Sequence, residues 1–175
     1  MENNTSYIIH SNTQEYAIFS FENYLGIIWK TRTSVDGIHA ASVAYEELRA
    51  KNPVDKQVFI TIVPANTRNP DSETSFVIRQ FLKNATNALA SVVIHQDIGW
   101  RITIVRSITA THNWMANLKY PHKAFSTVAD AAFWLEATYN IPPKRFFNTV
   151  TKVIQDLHGP VLPPIVEEND VSDTT

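Results

Sequence analysis

The stretch YAIFSFENYLGIIWKT (residues 16–31), followed after a helix-like interval by QVFITIV (57–63), decides how this chain folds. Tyr16–Phe21 and Leu25–Thr31 are β-rich runs separated by Glu22, Asn23 and Tyr24, the pattern of a hairpin. Gln57–Val63 is β-branched almost throughout, with Thr61 the one polar interruption. Such a run suits an interior strand covered on both faces. Between them, Ile38, Ala41, Tyr45 and Leu48 are spaced three, four and three, one face of a helix over Val35–Ala50. Ser34 or Asp36 is placed to cap its start, and Asn52-Pro53 ends it.

Reading onward, PANTRNPDSE (64–73) is a polar loop with two prolines. A helix is expected from about Ser72 to Leu89, with Phe76, Val77, Phe81, Ala85 and Ala88 as its buried stripe. Ala90–His95 reads as a strand, and Asp97, Ile98 and Gly99 as a turn. Trp100–Asn117 has strand-like composition in Arg101–Val105. The spacing of Ile104, Ile108, Thr111 and Met115 favours a helix there. Lys123–Phe125 is a short strand. Thr127 and Asp130 have capping-box spacing and open a helix over Val128–Tyr139. Pro142-Pro143 breaks the pattern, and a last helix covers Lys144–Leu157.

The expected fold is therefore α/β: one domain with a mixed sheet of about five strands, an N-terminal hairpin and an additional C-terminal helix. Residues 1–14 read as an extension, 15–140 as the domain, 141–160 as the added helix and 161–175 as an acidic disordered tail. From Glu167 onward the tail has four acids, no base and one apolar residue, too little to offset ordering. Phe146, Phe147, Val150, Val153, Ile154 and Leu157 form a wide apolar stripe on the last helix, to be covered by its own sheet or by a second chain.

The element order resembles the STAS-like domains, the group that includes bacterial anti-sigma-factor antagonists, and more narrowly bacterial proteins described as STAS-like. The resemblance is carried by YAIFSFENYLGIIWKT, by QVFITIV with its loop and helix, and by FSTVADAAFWL (125–135), over about residues 15–140. It implies a non-catalytic regulatory or protein-interaction module. It also implies a phosphorylatable serine at the start of the helix after the central strand. The matching place is Asp71-Ser72-Glu73-Thr74, which has the Asp-Ser pair and lacks the glycine of the motif. A phosphate on Ser72 would gain from the helix N-terminus and lose to Asp71 and Glu73.

Composition narrows the function classes. The net charge of −2, from 15 basic and 17 acidic residues, offers no basic excess for nucleic acid. Without the tail the balance is +2 for residues 1–166. There is no cysteine, which excludes disulfides, thiolate metal sites and cysteine nucleophiles, and which fits a cytoplasmic setting. No apolar run reaches the length of a membrane span, and the N-terminus has no signal-peptide pattern. The six histidines show no helical metal-site spacing, so no metal or other cofactor is expected.

The loop after the central strand is the main candidate site, with Ser72 and Arg68 for an anion or a phosphate and Asn66, Thr67, Asn69, Thr74 and Ser75 as an interaction surface. A second candidate is His95 with Asp97 at a strand end, joined by Ser107 or His112 in a catalytic reading. Arg101 and Arg106 with nearby tryptophans offer an anion surface, against the simpler reading of exposed helix arginines. Three function classes follow: an interaction module with a protein partner or self-association, a binder of a small lipid-like or nucleotide-like ligand, and a hydrolase or transferase. A filled core favours the first, and a cavity with convergent polar groups the second.

Overall fold

β-Branched and aromatic runs fill the sheet of this protein, and the polar, proline-bearing breaks between them set its connections. The computed structural model describes residues 6–65, 67–96 and 118–158. Six strands lie side by side in chain order: β1 (Ile8–Asn12), β2 (Tyr16–Phe21), β3 (Tyr24–Trp29), β4 (Gln57–Pro64), β5 (Ala88–Gln96) and β6 (His122–Phe125). The first three pair antiparallel, and β3 through β6 pair parallel. Four helices accompany them: α1 (Val35–Lys51), α2 (Ser72–Asn84), α3 (Val128–Tyr139) and α4 (Pro143–His158).

The expected mixed α/β sheet with its hairpin and C-terminal helix is present, with one strand more than expected. That strand is β1, within the stretch read as an extension. Its burial is slight and its sequence, IIHSN, does not alternate, so no periodicity marks it. Pairing with β2 makes it a strand. The register shifts between Ile9 and Ser11, a bulge that leaves His10 out of the ladder.

Alternation along each strand divides the core into two layers. Ile18, Leu25, Ile27, Trp29 and Phe59 face α1 and α2, meeting Ile38, Ala41, Tyr45, Leu48 and Leu82. Phe19, Phe21, Ile28, Val58, Ile60, Ile62, Val92 and Ile94 face α3 and α4, meeting Ala131, Leu135, Phe146, Val150, Val153 and Ile154. Two successive parallel crossovers, β3–α1–β4 and β4–α2–β5, put both helices on the same face, as right-handed connections do.

The helix ends follow from local chemistry. Ser34 caps α1 by accepting from the Gly37 N–H. Asp71 caps α2 through the Thr74 N–H at 2.7 Å. Thr127 caps α3, its hydroxyl accepting from the Asp130 N–H and donating to the Asp130 carboxylate at 2.8 Å. Asn140, at φ 56, closes α3 in the left-handed conformation, and Pro143 starts α4 where a missing N–H costs nothing. Gly26 sits opposite Phe19 in the β2–β3 ladder, and a Cβ there would stand 2.0 Å from the Phe19 ring.

Several expectations are corrected. The second helix ends at Asn84, not near Leu89, because Ala85 is its C-cap and β5 begins at Ala88. Ala88 therefore belongs to a strand, and Phe76 is 54% exposed instead of buried. The face of α2 that packs inward runs through Thr74, Ile78 and Leu82, with Val77 and Phe81 beside it. The stripe on α4 is covered by its own sheet: Phe146, Val150, Val153 and Ile154 are buried, while Phe147 stays exposed. The Trp100–Asn117 segment, Asn66, Asp97, Ser107, His112 and the acidic tail of 161–175 lie outside the described residues.

Candidate functional site

On the α1/α2 face, the sheet residues next along from the core are Thr61 and Val63 of β4 and Ser91, Val93 and His95 of β5. They share this face because their neighbours Ile60, Ile62, Val92 and Ile94 are committed to the opposite layer. Beside them opens a cleft of about 270 Å³. Its apolar wall includes Ile27, Phe59, Val63, Ile78, Phe81 and Val93. Its lining also includes Arg68 and Asn69 from the β4–α2 loop and Ser75 and Arg79 from α2. Ser75 and Arg79 are four apart and so neighbours on one helix face. The position, toward the carboxyl ends of parallel strands, is where open α/β sheets hold ligands.

The loop is built to hold Arg68 in place. Thr67 donates its hydroxyl to the Trp29 carbonyl at 3.0 Å, and the Arg68 N–H donates to the Thr31 carbonyl at 3.2 Å. These bonds continue the β3–β4 pairing past the strand ends, and Arg68 bridges Arg32 in the same sense. The neighbouring Arg32 guanidinium is engaged by Glu15 at 2.7 Å. Arg68 has no ion pair among the described residues.

The cleft floor holds His122 and Ser91, paired across β5 and β6 and joined Nδ1 to Oγ at 3.0 Å. Burial lowers the His122 pKa to about 4, so the ring is neutral at ordinary pH. Neither His95 nor His122 is a free group. No carboxylate lines the cleft among the described residues.

The structure thus gathers Arg68, Asn69, Ser75 and His95, predicted as parts of two separate sites, into one. It separates others from it. Ser72 is exposed at the first turn of α2 and is not part of the cleft lining. Asp71 already occupies the α2 start, and the Thr74 N–H bond holds its carboxyl below the usual carboxylate range. Thr74, expected on an interaction surface, is 3% exposed, and Thr67 is committed to Trp29, so both serve the fold. Asn66 and Asp97 lie outside the described residues.

Sequence reasoning passed over Arg79, Ser91 and His122. Thr61 was the visible signal, a polar residue inside an apolar strand that marks the cleft-facing parity. Arg79 was hidden by the misplaced stripe of α2.

A second constellation lies on the same sheet face. His10 Nε2 is 2.8 Å from Ser20 Oγ, and His10 Nδ1 is 3.3 Å from Glu47 Oε2. The order Ser–His–Glu is that of a nucleophile relay. Ser20 is 2% exposed and does not line the cleft, so its oxygen has no approach for a substrate. The set instead fastens β1 and α1 to β2. Among the described residues no group of three or more acids and histidines is arranged for a metal, and no helix is long and apolar enough to cross a membrane.

Compared with protein-family models, curated proteins and solved structures, nothing matches this chain. The STAS-like resemblance therefore stands on the sequence segments that suggested it.

Proposed function

We propose that this protein is a non-catalytic binder of a small molecule, held in the cleft between α2 and the sheet. The observation that carries this reading is that Arg68, Asn69, Ser75 and Arg79 line the same largely apolar cleft. Ligand sites combine an apolar lining with a few placed polar groups, at ~300–1,000 Å³. A cleft of about 270 Å³ suits a ligand smaller than a nucleotide. Two features support binding without chemistry. A histidine whose pKa lies near 4 is a weak general base at neutral pH. The described lining also supplies no carboxylate for acid–base work. The cysteine-free composition supports a reducing, cytoplasmic setting.

The test is thermal shift against a panel of small acids, phosphomonoesters and neutral analogues. A specific ligand stabilises by RT ln(1 + [L]/Kd), about 2.7 kcal/mol at a hundredfold excess over Kd. A panel that leaves the melting temperature unmoved at millimolar concentration rejects the reading.

A regulatory protein-interaction module of the STAS-like kind is the second reading. It draws support from Phe76, an exposed aromatic just after the polar loop. Capture of a protein partner that is lost in Phe76→Ala and kept in Arg79→Ala would favour it over the cleft.

A further inference from the structure

Five arginines fall among the described residues. Arg32, Arg49 and Arg145 are each held by a glutamate, Glu15, Glu46 and Glu22 respectively, at 2.7 to 2.8 Å. Arg68 and Arg79 have no ion pair among the described residues, and these two are the arginines that line the cleft. They reach it from different elements, Arg68 from the pinned loop and Arg79 from the second turn of α2. Among the described residues the other guanidinium groups are paired, and the two at the cleft are not.

From this we infer that the ligand is an amphipathic anion: a carboxylate or phosphate headgroup held at the rim by Arg68 and Arg79, with an apolar body against Ile27, Phe59, Ile78 and Val93. The inference rests on the proposed small-molecule function and names its ligand class. Guanidinium groups take carboxylate and phosphate through paired, charge-assisted hydrogen bonds. Apolar area withdrawn from water adds about 25 cal/mol per Å². A cleft of about 270 Å³ has room for a compact apolar body such as a short alkyl chain.

The experiment titrates the full chain by calorimetry with octanoate, octyl phosphate, 1-octanol and inorganic phosphate, beside Arg68→Ala, Arg79→Ala and Arg79→Lys. Both arginines are exposed, so melting temperatures of the free variants should match the parent. Octanoate or octyl phosphate should bind at least about tenfold tighter than 1-octanol, a difference of ~1.4 kcal/mol. Each alanine variant should remove most of that preference while leaving 1-octanol binding unchanged, and Arg79→Lys should keep part of it. Whichever of octanoate and octyl phosphate binds tighter identifies the headgroup. Equal affinity for octanoate, octyl phosphate and octanol, or unchanged anion binding in both alanine variants, overturns the anion inference and leaves the small-molecule reading in place. Inorganic phosphate binding as tightly as octyl phosphate overturns the apolar body. Absence of binding by all four probes overturns the ligand class named here. The broad panel then decides separately whether the cleft binds anything.

Discussion

His122 is a histidine kept from its proton by the sheet around it. Its pKa falls from 6.5 to about 4 through burial, so the unfolded chain binds more protons than the folded one between those values. Stability is therefore full above pH 6.5 and declines as the pH falls toward 4. The shift corresponds to at most about 3 kcal/mol, and partial exposure of the residue reduces this to roughly 1–2. His158 is lowered too, by burial first and by Lys30 second, and acts with the same sign. In His122→Asn the fall in melting temperature from pH 6.5 to 5 should be visibly shallower than in the parent. An unchanged slope would place the titration elsewhere.

Gly26 is the other residue whose chemistry is decided by a single neighbour. The Phe19 ring covers it from the paired strand, so Gly26→Ala drives a methyl into that ring. Overpacking of this kind costs typically 1–3 kcal/mol. Chemical denaturation should show that loss. Adding Phe19→Leu should recover part of it through a favourable coupling term, because the two positions are in direct contact.

At the scale of elements, β1 depends on contacts that its own sequence does not announce. Ile8 and Ile9, on opposite faces of the strand, are both about half exposed, and the bulge turns His10 toward Ser20 and Glu47. His10→Ala leaves the buried Ser20 hydroxyl without that partner, which costs about 1–3 kcal/mol. Glu47 is 54% exposed, so Glu47→Ala should cost under about 1 kcal/mol. Amide exchange in β1 should accelerate strongly in the first variant and little in the second. Equal acceleration in both would show that the carboxylate, not the serine contact, fastens the strand.

For the whole molecule, the disposition of α4 matters most. Its apolar stripe closes the second core layer by packing on β2–β5, and Arg145 reaches back to Glu22 while Asp156 accepts from the Tyr7 hydroxyl. A helix already covered has no need of a second chain. Light scattering at tens of micromolar should therefore give the mass of one chain. A dimer mass would require another surface, such as the one carrying Phe76 or Phe133. Deleting residues from Glu167 onward should leave the melting temperature unchanged, since that run has four acids and a single apolar residue to offer a core. A drop of several degrees, on the scale of ~1 kcal/mol, would show that the tail packs on the domain.

Much of this architecture was legible from local chemistry. The hairpin at 16–31, the central strand at 57–63, the Ser34 and Thr127 caps and the stop at Asn52-Pro53 each rest on residues within a few positions of one another, where propensity and capping act. The polar loop after β4 was also legible as a place for function. Three things were not. β1 exists because β2 offers it an edge, a partnership between segments that no periodicity records. The end of α2 was set by the start of β5, and the misplaced stripe hid Arg79. The cleft itself joins a loop, two helices and four strands, and only packing could bring His95 and Arg68 into one lining or remove Ser72 and Thr74 from the site. The sequence by itself determined which segments could be strands, helices and breaks, because those preferences are local. The tertiary structure alone decided which side chains meet, because strand parity and helix placement fix direction in space only once the sheet is assembled.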